Sequence, residues 1–374
     1  MPISAVIPLL LLSIVPLSYG AGTASSWLSV PVLFVGFAGL EHALGPDRDR
    51  IAAAPSTLAY RLPIWAYIVA QLSVILWGIA TASHIAMVGR LLGLAVSTGT
   101  AAGVFGMLAA HEMIHSRRRG ERVLGLAMLA GVSYPHFRIS HVYGHHRRAA
   151  TRDDPATARQ GESAYRFVLR STAGQLGEAW RHERRRCHAK AWPLAANRVH
   201  RYLALALALY AGIALLFGVR GVAFELVQSV IAIAILELFN YVAHYGLVRQ
   251  RAADGRIEPL GTKHSWNVAC RVDNALLFNG GRHTHHHREP ALHWHRLRLA
   301  AKTPLLPFGL AGSILIALIP PLWRRIMDPK VDYWMASPAP GKRSPRSTPR
   351  TPTGPTLSVP RERVVTRSSR QLQT

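Results

Sequence analysis

Six apolar stretches constrain this chain more than any other feature. Residues 3–20, 27–44, 64–83, 90–110, 202–219 and 222–242 each run to about 18–20 residues, enough for a helix to cross a hydrocarbon layer of ~30 Å. Backbone polar groups have no water to bond to in lipid, so segments of this kind must be helical. The expected fold is an all-α integral membrane protein with about six transmembrane helices. The mean hydropathy of +0.14 agrees. The first stretch ends in SYGAG, as a secretory signal can, but it lacks a positively charged start. It is expected to stay as a helix. A further apolar run, 305–323, carries Pro307, Pro320 and Pro321 and is expected to lie at the interface or to re-enter.

Charge sets the orientation. The formal charge is +25, and its densest block lies in 116–201, with SRRRGER, GHHRRAATR and RHERRRCHAK. Excess Arg and Lys marks the cytoplasmic side. Six crossings then place both termini, the 45–63 and 116–201 loops and everything after residue 244 in the cytoplasm. The basic surface suits membrane lipid of anionic type and an acidic protein partner, and no nucleic acid is expected. The preference for Arg over Lys suits a GC-rich bacterial genome, hence the inner (plasma) membrane of a bacterial cell. Residues 1–336 are expected to form the membrane-bound domain. The Pro-, Ser- and Arg-rich segment 337–374 cannot build a core and is expected to be a disordered tail.

Two cysteines, Cys187 and Cys270, are too few to hold an iron–sulfur cluster. No glycine fingerprint for a dinucleotide follows a strand. The chain is therefore expected to carry no flavin, haem or iron–sulfur cluster, so any redox chemistry takes its electrons from another protein.

The 19 histidines are unevenly spread. His111 and His115 in HEMIH stand at i, i+4, on one face of a helix. HVYGHH supplies His141, His145 and His146, and His244 closes the sixth span. RHTHHHREP adds His283, His285, His286 and His287, with the i, i+3, i+4 spacing at 283, 286 and 287. His42, His84, His136, His182, His188 and His200 are read as ordinary hydrogen-bonded side chains. Crowded imidazoles gain little from one another, and imidazole is the commonest metal ligand. His111, His115, His141, His145, His146, His244, His283, His286 and His287 are therefore expected to bind metal. They are too many for one ion, so two are expected, with zinc, copper, iron and nickel all compatible. Two rivals stand beside this. HEMIH is a literal H-E-x-x-H, the zinc-protease signature with Glu112 as general base, but it leaves the other clusters unexplained. A metal transporter would place its ligands at mid-membrane rather than at one face.

The histidine boxes following hydrophobic spans resemble those of the membrane-bound fatty acid desaturase and hydroxylase superfamily. NYVAHYGLVRQ, HSWN, GHHRRAATRDDPATARQGESAYRF and IPPLWRRIMDPKVDYW resemble its bacterial alkane 1-monooxygenase branch, which includes xylene monooxygenase. The resemblance implies six transmembrane helices under a cytoplasmic histidine-rich catalytic cap. It implies a non-haem di-iron centre held by the nine histidines, with O2 as co-substrate and electrons from rubredoxin and its reductase. Oxygen activated at the irons is the oxidant, no protein nucleophile is needed, and an apolar small molecule, an n-alkane, is hydroxylated at its terminal methyl. Fatty acid, terpene or aromatic methyl substrates, and desaturation, are the alternatives.

Glu112, Asp153, Asp154, His264 and His285 are the candidates for supporting the ligands. The sequence departs from the branch at Ala243 and His285, where relatives carry carboxylates, and at Lys263, where they carry a second histidine. HWHRLR at 293–298 replaces an aromatic, arginine-rich segment. His285 is accordingly expected to be a non-ligand, with His293 and His295 outside the site.

Overall fold

The computed structural model describes residues 6–47, 58–251 and 254–336. Among these the secondary structure is helical, with only isolated bridges beside it. Four helices are long and apolar enough to cross a membrane: α2 (Ser25–Leu44), α3 (Leu58–Ala82), α4 (Val88–Ile114) and α7 (Arg198–His244). The chain is a membrane protein on this ground. The expected span at 3–20 appears as a shorter helix, α1 (Ile7–Gly20), below crossing length.

Helix α7 accounts for two of the expected spans. Gly218 has φ 68° and ψ −170°, outside the helical region. Tyr210 Oη and Ser229 Oγ both reach Ser133 Oγ, at 3.1 and 3.4 Å. In a straight helix those residues would be roughly 28 Å apart, so α7 folds back on itself. The turn falls at Gly218, near the expected turn at 220–221. Its second arm packs along α4 through small residues. A Cβ on Gly99 would lie 2.5 Å from the Gln228 carbonyl, and one on Gly103 would lie 2.7 Å from Ile235 Cβ. A small-residue face of this kind lets apolar helices approach closely where lipid supplies no hydrophobic drive.

The 116–201 region is more than the loop expected of it. Helix α5 (Arg119–Ala130) runs back along α4. Gly125 meets Met113, and Met128 packs on Gly106. The physical reason is the small, apolar inner face of the helix, which the charge of its flanks conceals. Helix α6 (Ala164–Ala189) then passes beside α7. The short helices α8 (Arg271–Leu276) and α9 (His283–Arg288) follow. Finally α10 (Leu310–Ala317) and α11 (Pro320–Ala336) form a pair bent by 120°, matching the proline-containing apolar run. The tail from 337 lies outside the described residues.

Candidate metal centre

Local helix geometry sorts the histidines. The end of α4 is α-helical, so His111 and His115 share a face. The second box is different. Ser140–His145 is a π-turn, whose i→i+5 closure puts His141 and His146 on one side and turns His145 away from them. Helix α9 again has α-helical phase, pairing His283 with His287 and setting His286 apart. The result is two groups of nitrogens, each lying within 4.8 Å of one another. His111, His115, His141, His146 and His286 form the first, and His145, His244, His283 and His287 the second. The groups adjoin, with the His146 and His287 ring centres 4.6 Å apart.

The contacts within each group fit metal binding better than hydrogen bonding. In the first, His111 Nε2 lies 2.8 Å from His141 Nε2, which lies 3.0 Å from His146 Nε2, itself 3.2 Å from His286 Nε2. In the second, His283 Nε2 is 2.8 Å from His244 Nε2 and 3.0 Å from His287 Nε2. Each Nε2 has one hydrogen or one in-plane lone pair, so no choice of tautomers turns the four-membered chain into hydrogen bonds. Nitrogens about 3 Å apart are what neighbouring ligands span at ~2.1 Å from a shared ion. His115 Nε2 and His145 Nε2, both buried, have no hydrogen-bond partner among the described residues, which a metal ion would supply. Burial, reinforced by the neighbouring imidazoles, pushes His115, His141, His146, His283, His286 and His287 well below the ordinary histidine range. They are neutral at pH 7 and offer lone pairs. The residues present fit two metal ions.

The proposed supporting residues separate. Asp154 lies behind the second group. Its Oδ2 is 2.8 Å from His145 Nδ1 and accepts from Thr157 Oγ1 at 2.7 Å, with both carboxylate and imidazole buried. Burial works against the Asp154 carboxylate, but His145 and Thr157 outweigh it and hold the acid below its usual range. Asp153 is exposed. Glu112 turns to the 290s segment, accepting from Trp294 N at 3.2 Å and lying 2.9 Å from His293 Nδ1. His264 closes a local turn, accepting from Gly261 N at 2.7 Å and lying 2.9 Å from Glu258 Oε1. His285 accepts from Arg298 N at 2.8 Å and faces Glu289. Asp153, Glu112, His264 and His285 therefore have no contact with the two groups that would support them, because each is drawn off by a nearer partner or by solvent.

Residues that the sequence alone did not single out position α9. Asn267 Oδ1 accepts from Thr284 N at 2.9 Å, and Asn267 Nδ2 donates to Thr284 Oγ1 and Thr303 Oγ1, each at 2.7 Å. One residue before His283, Arg282 bonds Asp47 Oδ2 at 2.6 Å. The tetrapeptide HSWN was a signal of resemblance, but it carried no hint of a cap formed 17 residues away.

Two cavities meet the histidines, and a third opens onto one of them. The third is apolar and lies among α2, α4, α7 and α10, lined by Phe34, Phe37, Val104 and Ile314 among others. It shares Leu108, Phe239 and Leu277 with a space bounded by His111, His283 and His286. A polar pocket meets the first group at His115, beside Arg61, Arg117 and Arg118.

This histidine-box membrane protein belongs to the fatty acid desaturase family, whose model matches residues 86–312. Within that family it falls in the alkane 1-monooxygenase branch. It is 40% identical over 250 residues to alkane 1-monooxygenase 1 of Pseudomonas aeruginosa, covering 66% of this chain and 65% of that protein. It is 35% identical over 339 residues to alkane 1-monooxygenase 2 of the same organism, covering 86% of this chain and 90% of the relative. A xylene/toluene monooxygenase hydroxylase component from Pseudomonas putida is 31% identical over 249 residues, 66% of each chain. The match thus spans just under two thirds of the first relative and nearly all of the second. Membership in this family sets aside the protease reading of HEMIH.

Proposed function

We propose that this chain hydroxylates the terminal methyl of n-alkanes: R–CH3, O2, two electrons and two protons give R–CH2OH and water. The observation that carries this reading is the apolar cavity joined to the histidines through Leu108, Phe239 and Leu277. An unactivated methyl offers no polar handle, so only shape can hold it against the metals. The nine histidines would hold two irons, which supply dioxygen activation when bound. The protein's own part is to keep the imidazoles neutral, to orient His145 through Asp154, and to admit an apolar chain while lining its path with carbon.

The two electrons enter from rubredoxin, reduced by its reductase. A multi-pass arrangement in the bacterial inner membrane, with the histidines on the cytoplasmic side, completes the reading. It is supported by the clustering of basic residues at the histidine end.

The test is expression with rubredoxin and its reductase, supplying alkanes of graded length, fatty acids and xylene, with metal analysis of the purified protein. Primary alcohols from alkanes and iron in the protein are expected. Solely unsaturated products would transfer the chain to desaturation, and benzylic alcohol from xylene alone would move the substrate to aromatic methyl groups. Zinc without iron would reject the di-iron centre.

A further inference from the structure

Helix α6 has two working faces. Phe167, Ser171, Gln175 and Ala179 are buried. Gln175 Nε2 donates to Glu237 Oε1 at 2.7 Å, and Ser140 Oγ donates to Gln175 Oε1 at 3.3 Å. This inner face thus braces the residue next to His141. Away from it, Tyr165, Leu169, Leu176 and Trp180 are exposed, Leu169 by 75%. At about 100° per residue these four fall within an arc of about 60°. Arg166 and Arg184 follow on the next strip of surface with Arg181 beyond, all exposed. An apolar stripe beside a cationic row is the pattern of a helix lying in a bilayer interface.

The stripe is continuous with surface that is apolar at both ends. Tyr165 Oη donates to the Leu318 carbonyl at 2.8 Å, at the tip of the bent α10–α11 pair, where Ile319 and Leu322 are exposed. Beyond the other end, exposed Trp192 and Leu194 lead into the first arm of α7, whose Leu203, Leu205 and Leu207 are also exposed. Tryptophan and tyrosine are the residues that collect where membrane meets water.

We infer that α6 is an interfacial helix. Its Tyr165–Trp180 stripe sits at the acyl boundary of the leaflet on the histidine side, and its arginine row binds the phosphates of anionic phospholipid. The charge row selects the partner: a second copy docked through the same stripe would bring like-charged rows together. The inference stands whether or not alkanes are the substrate.

The experiment uses the full chain in nanodiscs. Tryptophan emission is compared in discs with and without acyl-brominated phosphatidylcholine, for the wild type and Trp180→Phe. Lipid retained through detergent extraction from mixed phosphatidylcholine–phosphatidylglycerol membranes is weighed for the wild type, Arg166→Gln, and the combined Arg166→Gln, Arg181→Gln, Arg184→Gln variant. The brominated lipid should quench a component that Trp180→Phe removes. The wild type should retain phosphatidylglycerol several-fold over phosphatidylcholine, Arg166→Gln less so, and the triple variant without preference, with metal content unchanged. An unquenched Trp180, or one lipid ratio for all three proteins, overturns the inference. So does a dimer that Leu169→Gln abolishes, which would give this face to a second copy.

Discussion

Both histidine groups draw on the π-turn and on α9, yet they sit in different surroundings. The first adds two residues from the end of α4 and meets both cavities, through His111 and His286 on the apolar side and His115 on the polar side. The second adds His244 from α7, and its four members are all buried. A buried carboxylate, Asp154, supports the second group through His145, whereas His244 Nδ1 and His287 Nδ1 are buried without a partner among the described residues. Ala243, next to His244 in the chain, has no side-chain acceptor, and its carbonyl is taken by Trp266 N at 2.8 Å. The difference teaches that the first group opens on both the apolar and the polar side, whereas the second reaches only the apolar space, through His283.

The sharpest way to break this comparison is at α9. His286→Ala should remove metal from the first group and lower hydroxylation by more than the ~10–100-fold that loss of a supporting partner costs. His285→Ala, one residue away, should keep its metal and most of its activity. Equal metal loss in both, measured by metal analysis, would show that the phase of α9 is wrong. Next comes Asp154→Asn, expected to weaken metal retention by ~10–100-fold, with the loss confined to one of two metal equivalents in a chelator titration. Loss of both together would mean that the groups do not bind independently.

Asn267→Ala leaves the Thr284 N–H without its partner and removes a donor from the Thr284 and Thr303 hydroxyls, which keep Ser265 Oγ and the Thr262 carbonyl. It should cost about 1–3 kcal/mol in thermal unfolding and loosen both groups, since α9 feeds each. The smallest effect is expected from His264→Ala, which removes a local turn contact. A loss of about 1 kcal/mol with metal content unchanged would confirm that His264 is remote from the metals.

The positions of the other candidates share a cause. His264, His285 and Glu112 stand in or beside the boxes, and adjacency in sequence made them candidates. In the fold each is claimed by a closer partner: Glu258, Arg298 or Trp294. Asp153 and Asp154 are neighbours of one type, and only the backbone's course decides which carboxylate faces His145. The hairpin at Gly218 was legible because two apolar stretches met at a short, weakly charged break. The return of α5 along α4 was not, because it depends on Gly125 and Met128 finding complementary surface on a helix that the sequence does not identify.

By itself, the sequence determined that this is a helical membrane protein with nine imidazoles available for metal, because hydropathy and ligand chemistry belong to the residues themselves. Tertiary structure decided how those imidazoles divide. Histidines i and i+4 share a face in α4 and α9, but the π-turn at 140–145 changes the phase, so His145 leaves His141 for His244. It also decided which carboxylate supports a ligand and where carbon lines a path to the site. Those outcomes depend on which distant surfaces meet, and a local pattern of residues cannot specify that.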